Sequence, residues 1–126
     1  MPARILLVED SPTILNLLDM VLRQYGYQIF TAGDGVEALS KLAQDEVDLI
    51  ITDVNMPRMD GFTLIGRVRA QEHLAKLPII VLSTEREDHD LERGASAGAN
   101  LYLTKPVKPQ VLVDHVRQLL NSQAIS

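Results

Sequence analysis

LIITDVNMPRMDG, residues 49–61, is the stretch on which the fold turns. Three apolar residues, Leu49-Ile50-Ile51, run without alternation toward a carboxylate at Asp53, and breaks follow at Pro57 and Gly61. An uninterrupted apolar run reads as a strand covered on both faces, the pattern of a parallel sheet flanked by helices. Asp53 is then an acid delivered at the end of a buried strand.

The same pattern recurs on either side. Ile5-Leu6-Leu7-Val8 and Ile79-Ile80-Val81-Leu82 read as buried strands, and Gln28–Thr31 and Leu101–Leu103 as weaker ones. Helical periodicity fills the gaps. Ile14, Leu17, Leu18, Val21, Leu22 and Tyr25 form one stripe, between Pro12 at the helix start and Gly26 past its end. Val36, Leu39, Leu42 and Ala43 form a second stripe. Leu64, Ile65 and Val68 form a third, with Asp60 as its N-cap, and Leu112, Val116, Leu119 and Leu120 a last one opened near Pro109. The 88–98 segment reads as a weak, mobile helix, because Gly94, Ser96 and Gly98 lower its propensity. Strand and helix alternate five times, which predicts an α/β, doubly wound, five-stranded parallel sheet with helices on both faces. The flavodoxin-like strand order 2-1-3-4-5 is the expected one.

Composition narrows the function. A chain of 126 residues suits a single domain, residues 1–126, with 121–126 expected to fray, and 46% hydrophobic content fills a core. The absence of cysteine excludes disulfides and thiolate chemistry. A net charge of -5 argues against binding nucleic acid through its phosphates. No apolar run approaches membrane-spanning length, so the expectation is a cytoplasmic protein that engages neither membrane nor nucleic acid.

Ligands of such sheets bind beyond the carboxyl ends of the strands. Those ends carry Glu9 and Asp10, then Asp53, then Ser83 and Thr84, then Thr104, Lys105 and Pro106. Carboxylates at ~4 Å repel by about 1 kcal/mol per pair in water and about 4 at an effective dielectric near 20. Lys105 supplies one compensating charge, and a hard divalent ion such as Mg²⁺ supplies two. No imidazole or thiolate is offered to zinc. An acid, a divalent ion, a lysine and a hydroxyl together suit phosphoryl transfer onto a carboxylate nucleophile. Taken singly, each residue has a plainer explanation. Glu9 and Asp10 could close a strand, with Asp10 or Ser11 capping the next helix, and Asp53 could serve a turn that Asp60 already serves. Their convergence outweighs these explanations.

Val8-Glu9-Asp10, Gly33–Leu39 (GDGVEAL), Asp53–Gly61 (DVNMPRMDG), Leu82-Ser83-Thr84 and Leu103–Pro106 (LTKP) resemble, in order, the response-regulator receiver domain, and most closely its stand-alone CheY-like type. The resemblance covers essentially the whole chain. It implies a phosphorylation-activated switch with Asp53 as phosphoacceptor. Glu9, Asp10, Asp53 and the backbone carbonyl of Asn55 surround Mg²⁺. Ser83 is the switch hydroxyl, Lys105 contacts the phosphoryl group and its bond to Pro106 is cis, and Tyr102 is the aromatic switch that turns inward. Thr84 and Glu85 modulate the site. It also implies a histidine kinase donor, and a protein target at the face of the fourth helix, fifth strand and fifth helix. The regulator is expected to be monomeric and to assist its own phosphorylation and dephosphorylation rather than act as an enzyme. Glu9 departs from the commoner aspartate, Ser83 from threonine and Val107 from phenylalanine. Two other classes fit less well. A haloacid-dehalogenase-like phosphatase needs a second acid where Asn55 stands, and a flavin carrier needs a phosphate cradle where Glu9 and Asp10 put negative charge.

Overall fold

The computed structural model describes residues 2–84 and 98–125, the side chains of 122–125 excepted. In chain order the elements are β1 (Arg4–Val8), α1 (Pro12–Gln24), β2 (Gln28–Ala32), α2 (Gly35–Gln44), β3 (Leu49–Asp53), α3 (Gly61–Arg69), a 3₁₀ turn at Glu72–Leu74, β4 (Ile79–Ser83), β5 (Leu101–Thr104) and α4 (Pro109–Ile125). The strands form one parallel sheet in the order β2-β1-β3-β4-β5, as expected. The expected 88–98 helix lies outside the described residues up to Gly98, which occupies a turn at φ +106°.

Side-chain alternation along these strands explains why they read as continuous apolar runs. Ile5, Leu7, Leu49, Ile51, Ile80 and Leu82 point to one core with Leu18 and Leu22 of α1 and Leu112, Val113 and Val116 of α4. Leu6, Val8, Ile50, Ile79 and Val81 point to the other, with Ala38 and Leu42 of α2 and Leu64, Ile65 and Val68 of α3. Both faces are covered, so the central strands are apolar almost throughout, and the buried Thr52 hydroxyl is satisfied by the Asp53 carbonyl at 2.9 Å.

The helix ends follow local chemistry. Ser11 caps α1, its hydroxyl accepting from the Ile14 N–H at 3.5 Å, and Gly26 ends that helix at φ +91°. Asp60 caps α3, accepting from the Thr63 N–H at 2.8 Å. The helix faces differ from the sequence stripes in detail. Leu17 and Tyr25 are exposed, while Leu15 packs against the core in their place. In α2, Val36 and Ala43 face solvent and Ala38 is buried. Periodicity fixes a wide stripe, and the tilt of the helix on the sheet selects its centre. The last helix runs to Ile125.

Candidate functional site

The parallel register gathers the strand ends on one rim. Asp53 stands level with Leu82, and Ser83 level with Thr104. The Lys105 N–H then donates to the Ser83 carbonyl at 2.7 Å, which carries the lysine over the end of the sheet. Its Nζ donates to Glu9 Oε1 at 2.7 Å and lies 3.4 Å from Asp53 Oδ1. The three side chains are well enclosed, with relative exposures of 3% for Glu9, 12% for Asp53 and 13% for Lys105. Asp10 is exposed at the outer edge, its backbone N–H bonded to Glu9 Oε2 at 3.0 Å. Carboxylate oxygens of Glu9, Asp10 and Asp53 lie within 4.8 Å of one another.

Burial, reinforced by Asp53, raises the Glu9 pKa against the opposing pull of Lys105. Burial also acts to lower Lys105, but its bond to Glu9 and the charge of both carboxylates outweigh that and leave its pKa raised. The ammonium is therefore fixed in its charged form. With all three acids ionised, one ammonium leaves two negative charges over. The donor set is all oxygen, without imidazole or thiolate, which fits a hard divalent cation rather than zinc. The plainer explanations lose their ground, since Ser11 caps α1 and Asp60 caps α3. Neither Asp10 nor Asp53 is required for those jobs.

The loop from β3 to α3 is held at both ends. The Val54 N–H donates to Asp53 Oδ1 at 2.8 Å, which fixes the carboxylate. The Gly61 N–H donates to the Val54 carbonyl at 2.8 Å, and any Cβ at Gly61 would collide with the Asp53 carbonyl oxygen. Asn55 is exposed between them. At the loop tip, Arg58 adopts φ +66°, a conformation that costs a non-glycine residue about 1–2 kcal/mol. Arg58 is tied by Nε and Nη2 to Asp34 Oδ2, at 2.7 and 2.6 Å. Sequence reasoning missed both residues. The Asp34-x-x-Glu37 spacing signals a capped helix but says nothing of Arg58, which lies 24 residues away.

Ser83 is buried at the end of β4, and Thr84 is exposed beside it. Tyr102 is half-buried against the core on the α2 and α3 side. The Lys105–Pro106 bond is cis. Glu85 lies outside the described residues. A groove of about 1040 Å³ lies at the opposite pole, lined by Arg4, Asp48, His73 and Lys76 among others, and has no part in this cluster. No helix among the described residues is long and apolar enough to cross a membrane.

Comparison with known proteins gives one consistent result. The family model described as the response regulator receiver domain matches residues 5–117. Sensor protein EvgS of Escherichia coli K12 is 44% identical over 115 residues, 91% of this chain but 9% of that protein. Chemotaxis protein CheY1 of Helicobacter pylori is 36% identical over 121 residues, 94% of this chain and 98% of its own. Among solved structures, the receiver domain of a Pseudomonas aeruginosa sensor histidine kinase, with a magnesium ion coordinated in its active-site cleft, superposes with a TM-score of 0.89. That structure is 32% identical and covers 96% of this chain and 99% of its own. The chain thus spans only a small part of some relatives and nearly all of others.

Proposed function

The chain belongs to the response regulator receiver family, and from that premise we propose that it is a two-component signalling switch that accepts a phosphoryl group on Asp53 from a histidine kinase. The observation that carries this reading is the placement of Lys105 Nζ between Glu9 and Asp53 on the sheet rim. That arrangement sets an acceptor carboxylate beside a cation suited to a phosphoryl group.

In the reaction, an Asp53 carboxylate oxygen attacks phosphorus in line with the leaving imidazole of a phosphohistidine. The P–N bond breaks, an acyl P–O bond forms, and the released imidazole nitrogen takes a proton. Glu9, Asp10, Asp53 and the Asn55 carbonyl would hold magnesium, which when bound supplies positive charge to the phosphoryl oxygens. The Val54 N–H holds the Asp53 carboxylate in place, so little orientation remains to be gained on attack. Lys105 neutralises the third oxygen as charge spreads over the phosphoryl group. Ser83 donates a hydrogen bond to the new phosphate, and Tyr102 turns inward behind it. Thr84, Glu85 and Pro106 shape access to the phosphate.

The phosphorylated state changes affinity for a protein target that reads the face of the 88–98 segment, β5 and α4. A few kcal/mol of differential contact suffices for that shift. The chain works as a monomeric cytoplasmic regulator that assists its own phosphorylation and dephosphorylation.

Incubation with acetyl phosphate, with and without Mg²⁺, followed by intact mass measurement, tests the assignment. Wild type gains one phosphoryl group only with Mg²⁺, and Asp53→Ala gains none. Equal labelling of the two chains overturns it.

A further inference from the structure

We infer that Arg58 is a positioning residue whose tie to Asp34 offsets the strain of a left-handed residue at the tip of the β3–α3 loop and so keeps that loop in its metal-binding shape. The inference rests on the reading above, in which the Asn55 carbonyl is a cation ligand.

Arg58 is three residues beyond Asn55, at the centre of a tight turn. The Met59 N–H donates back to the Pro57 carbonyl at 2.7 Å across it, and φ at Arg58 is +66°. Three-residue turns with a positive central φ are rare and strained. Glycine or asparagine is the usual occupant of such a position. An arginine there bears a conformational cost that nothing within the loop offsets.

The offset comes from α2. Asp34 divides its two oxygens: Oδ1 accepts the Glu37 N–H at 2.9 Å and so caps α2, and Oδ2 accepts Nε and Nη2 of Arg58. The carboxylate is 8% exposed while the Arg58 side chain is 61% exposed. The anion is thus the rigid half of the pair and the arginine the strap laid onto it. Capping by the Glu37 N–H lowers the Asp34 pKa, against burial and with help from Arg58, so the anchor stays charged. A second contact reinforces the strap. Met59 lies against Gly35, where an added Cβ would come within 2.8 Å of Met59 Cγ. Two consecutive loop residues are therefore seated on the start of α2.

An exposed ion pair by itself contributes little to stability. Its consequence here is geometric, since it fixes the tip of a loop whose other end begins at the acceptor, Asp53. Loops that carry a ligand depend on such outer contacts, and their loss commonly weakens metal affinity by about 10–100-fold. Glycine at position 58 would take the turn without strain but supply no strap. Alanine would supply neither.

This contrast defines the test. Mg²⁺ affinity is measured by calorimetry on wild type, Arg58→Ala and Arg58→Gly, with folding checked by circular dichroism. Arg58→Ala is expected to bind about tenfold more weakly, and Arg58→Gly to stay near wild type although it lacks the same charge. If Arg58→Ala does not fold, Asp34→Asn, which keeps an oxygen to cap α2, carries the same expected loss. Equal weakening in the alanine and glycine variants assigns the effect to charge and overturns the inference, as does unchanged affinity in both. Labelling of wild-type Asp53 is scored separately. Unlabelled Asp53 with the alanine–glycine contrast intact removes the phosphoacceptor reading alone. Labelled Asp53 with no contrast removes the role of Arg58 alone.

Discussion

The two poles of the sheet solve the problem of a buried charge in opposite ways. At the amino pole, Arg69 from the end of α3 donates through Nε and Nη2 to the Gly98 carbonyl, through Nη1 to the Leu74 carbonyl and through Nη2 to Asn100 Oδ1. Asn100 Oδ1 also accepts the Ile79 N–H at 2.9 Å. One cation is satisfied by neutral oxygens, and the network joins α3, the 3₁₀ turn, β4 and the approach to β5. At the carboxyl pole, three carboxylates share one ammonium. The first network is complete within the protein. Among the described residues, the second holds more carboxylates than ammonium groups, an excess that a bound cation would balance. The difference separates a bond set closed by neutral oxygens from one with room for a cation.

Removing the cation at the complete pole should cost most. Arg69→Ala takes two guanidinium donors from the Gly98 carbonyl and one from the Leu74 carbonyl, which keeps the Leu77 N–H, and burial already lowers the Arg69 pKa, a sign of its enclosure. We expect a loss of about 2 kcal/mol in urea unfolding. The loss should be the same with and without Mg²⁺. A Mg²⁺-dependent loss would merge the two poles and break the comparison.

Neutralising an acid at the unfinished pole should act in the opposite direction. Asp10→Asn removes one of three mutually repelling carboxylates. Without metal, unfolding measurements should show a gain of about 1 kcal/mol. Saturating Mg²⁺ at 100 times its Kd should stabilise wild type by about 2.7 kcal/mol, and the variant by much less. Destabilisation of the metal-free variant would mean that the rim is already balanced.

The smallest effect is expected at Asp34, beside the carboxyl pole. Its pKa is lowered in the fold, so its contribution is present above the ordinary carboxylate range. It is lost as pH falls through the folded value. The stability difference between wild type and Asp34→Asn should therefore narrow on acidification from neutral pH, which thermal melts across a pH series would read. A difference that widens toward acid would reverse the sign and remove Asp34 as an anionic anchor.

Much of this molecule was legible in one dimension. Leu49-Ile50-Ile51 and its counterparts read as strands covered twice, because a sheet packed on both faces favours apolar residues at successive positions. Pro12, Gly26 and Asp60 marked helix ends through backbone chemistry that needs no distant partner. The candidate site was legible for the same reason. Once strands are placed, their ends fall on one rim: Asp53 and Ser83 are the last residues of their strands, and Glu9, Asp10 and Lys105 follow theirs within two residues.

Choices among equals were not legible. Leu15 over Leu17, and Ala38 over Val36, depend on how each helix tilts against the sheet, and periodicity alone leaves both acceptable. Pairing across distance was read only in part. Lys105 was expected among the acids of the rim, but not its bond to Glu9 in particular, and nothing in the sequence pointed to Arg58 meeting Asp34 across 24 residues. The sequence by itself determined which segments must be buried and which residues must stand at their ends, since burial and capping are local demands. Tertiary structure alone decided which charge answers which, because an ion pair depends on separation in space, and that is set only when the strands take their order and register.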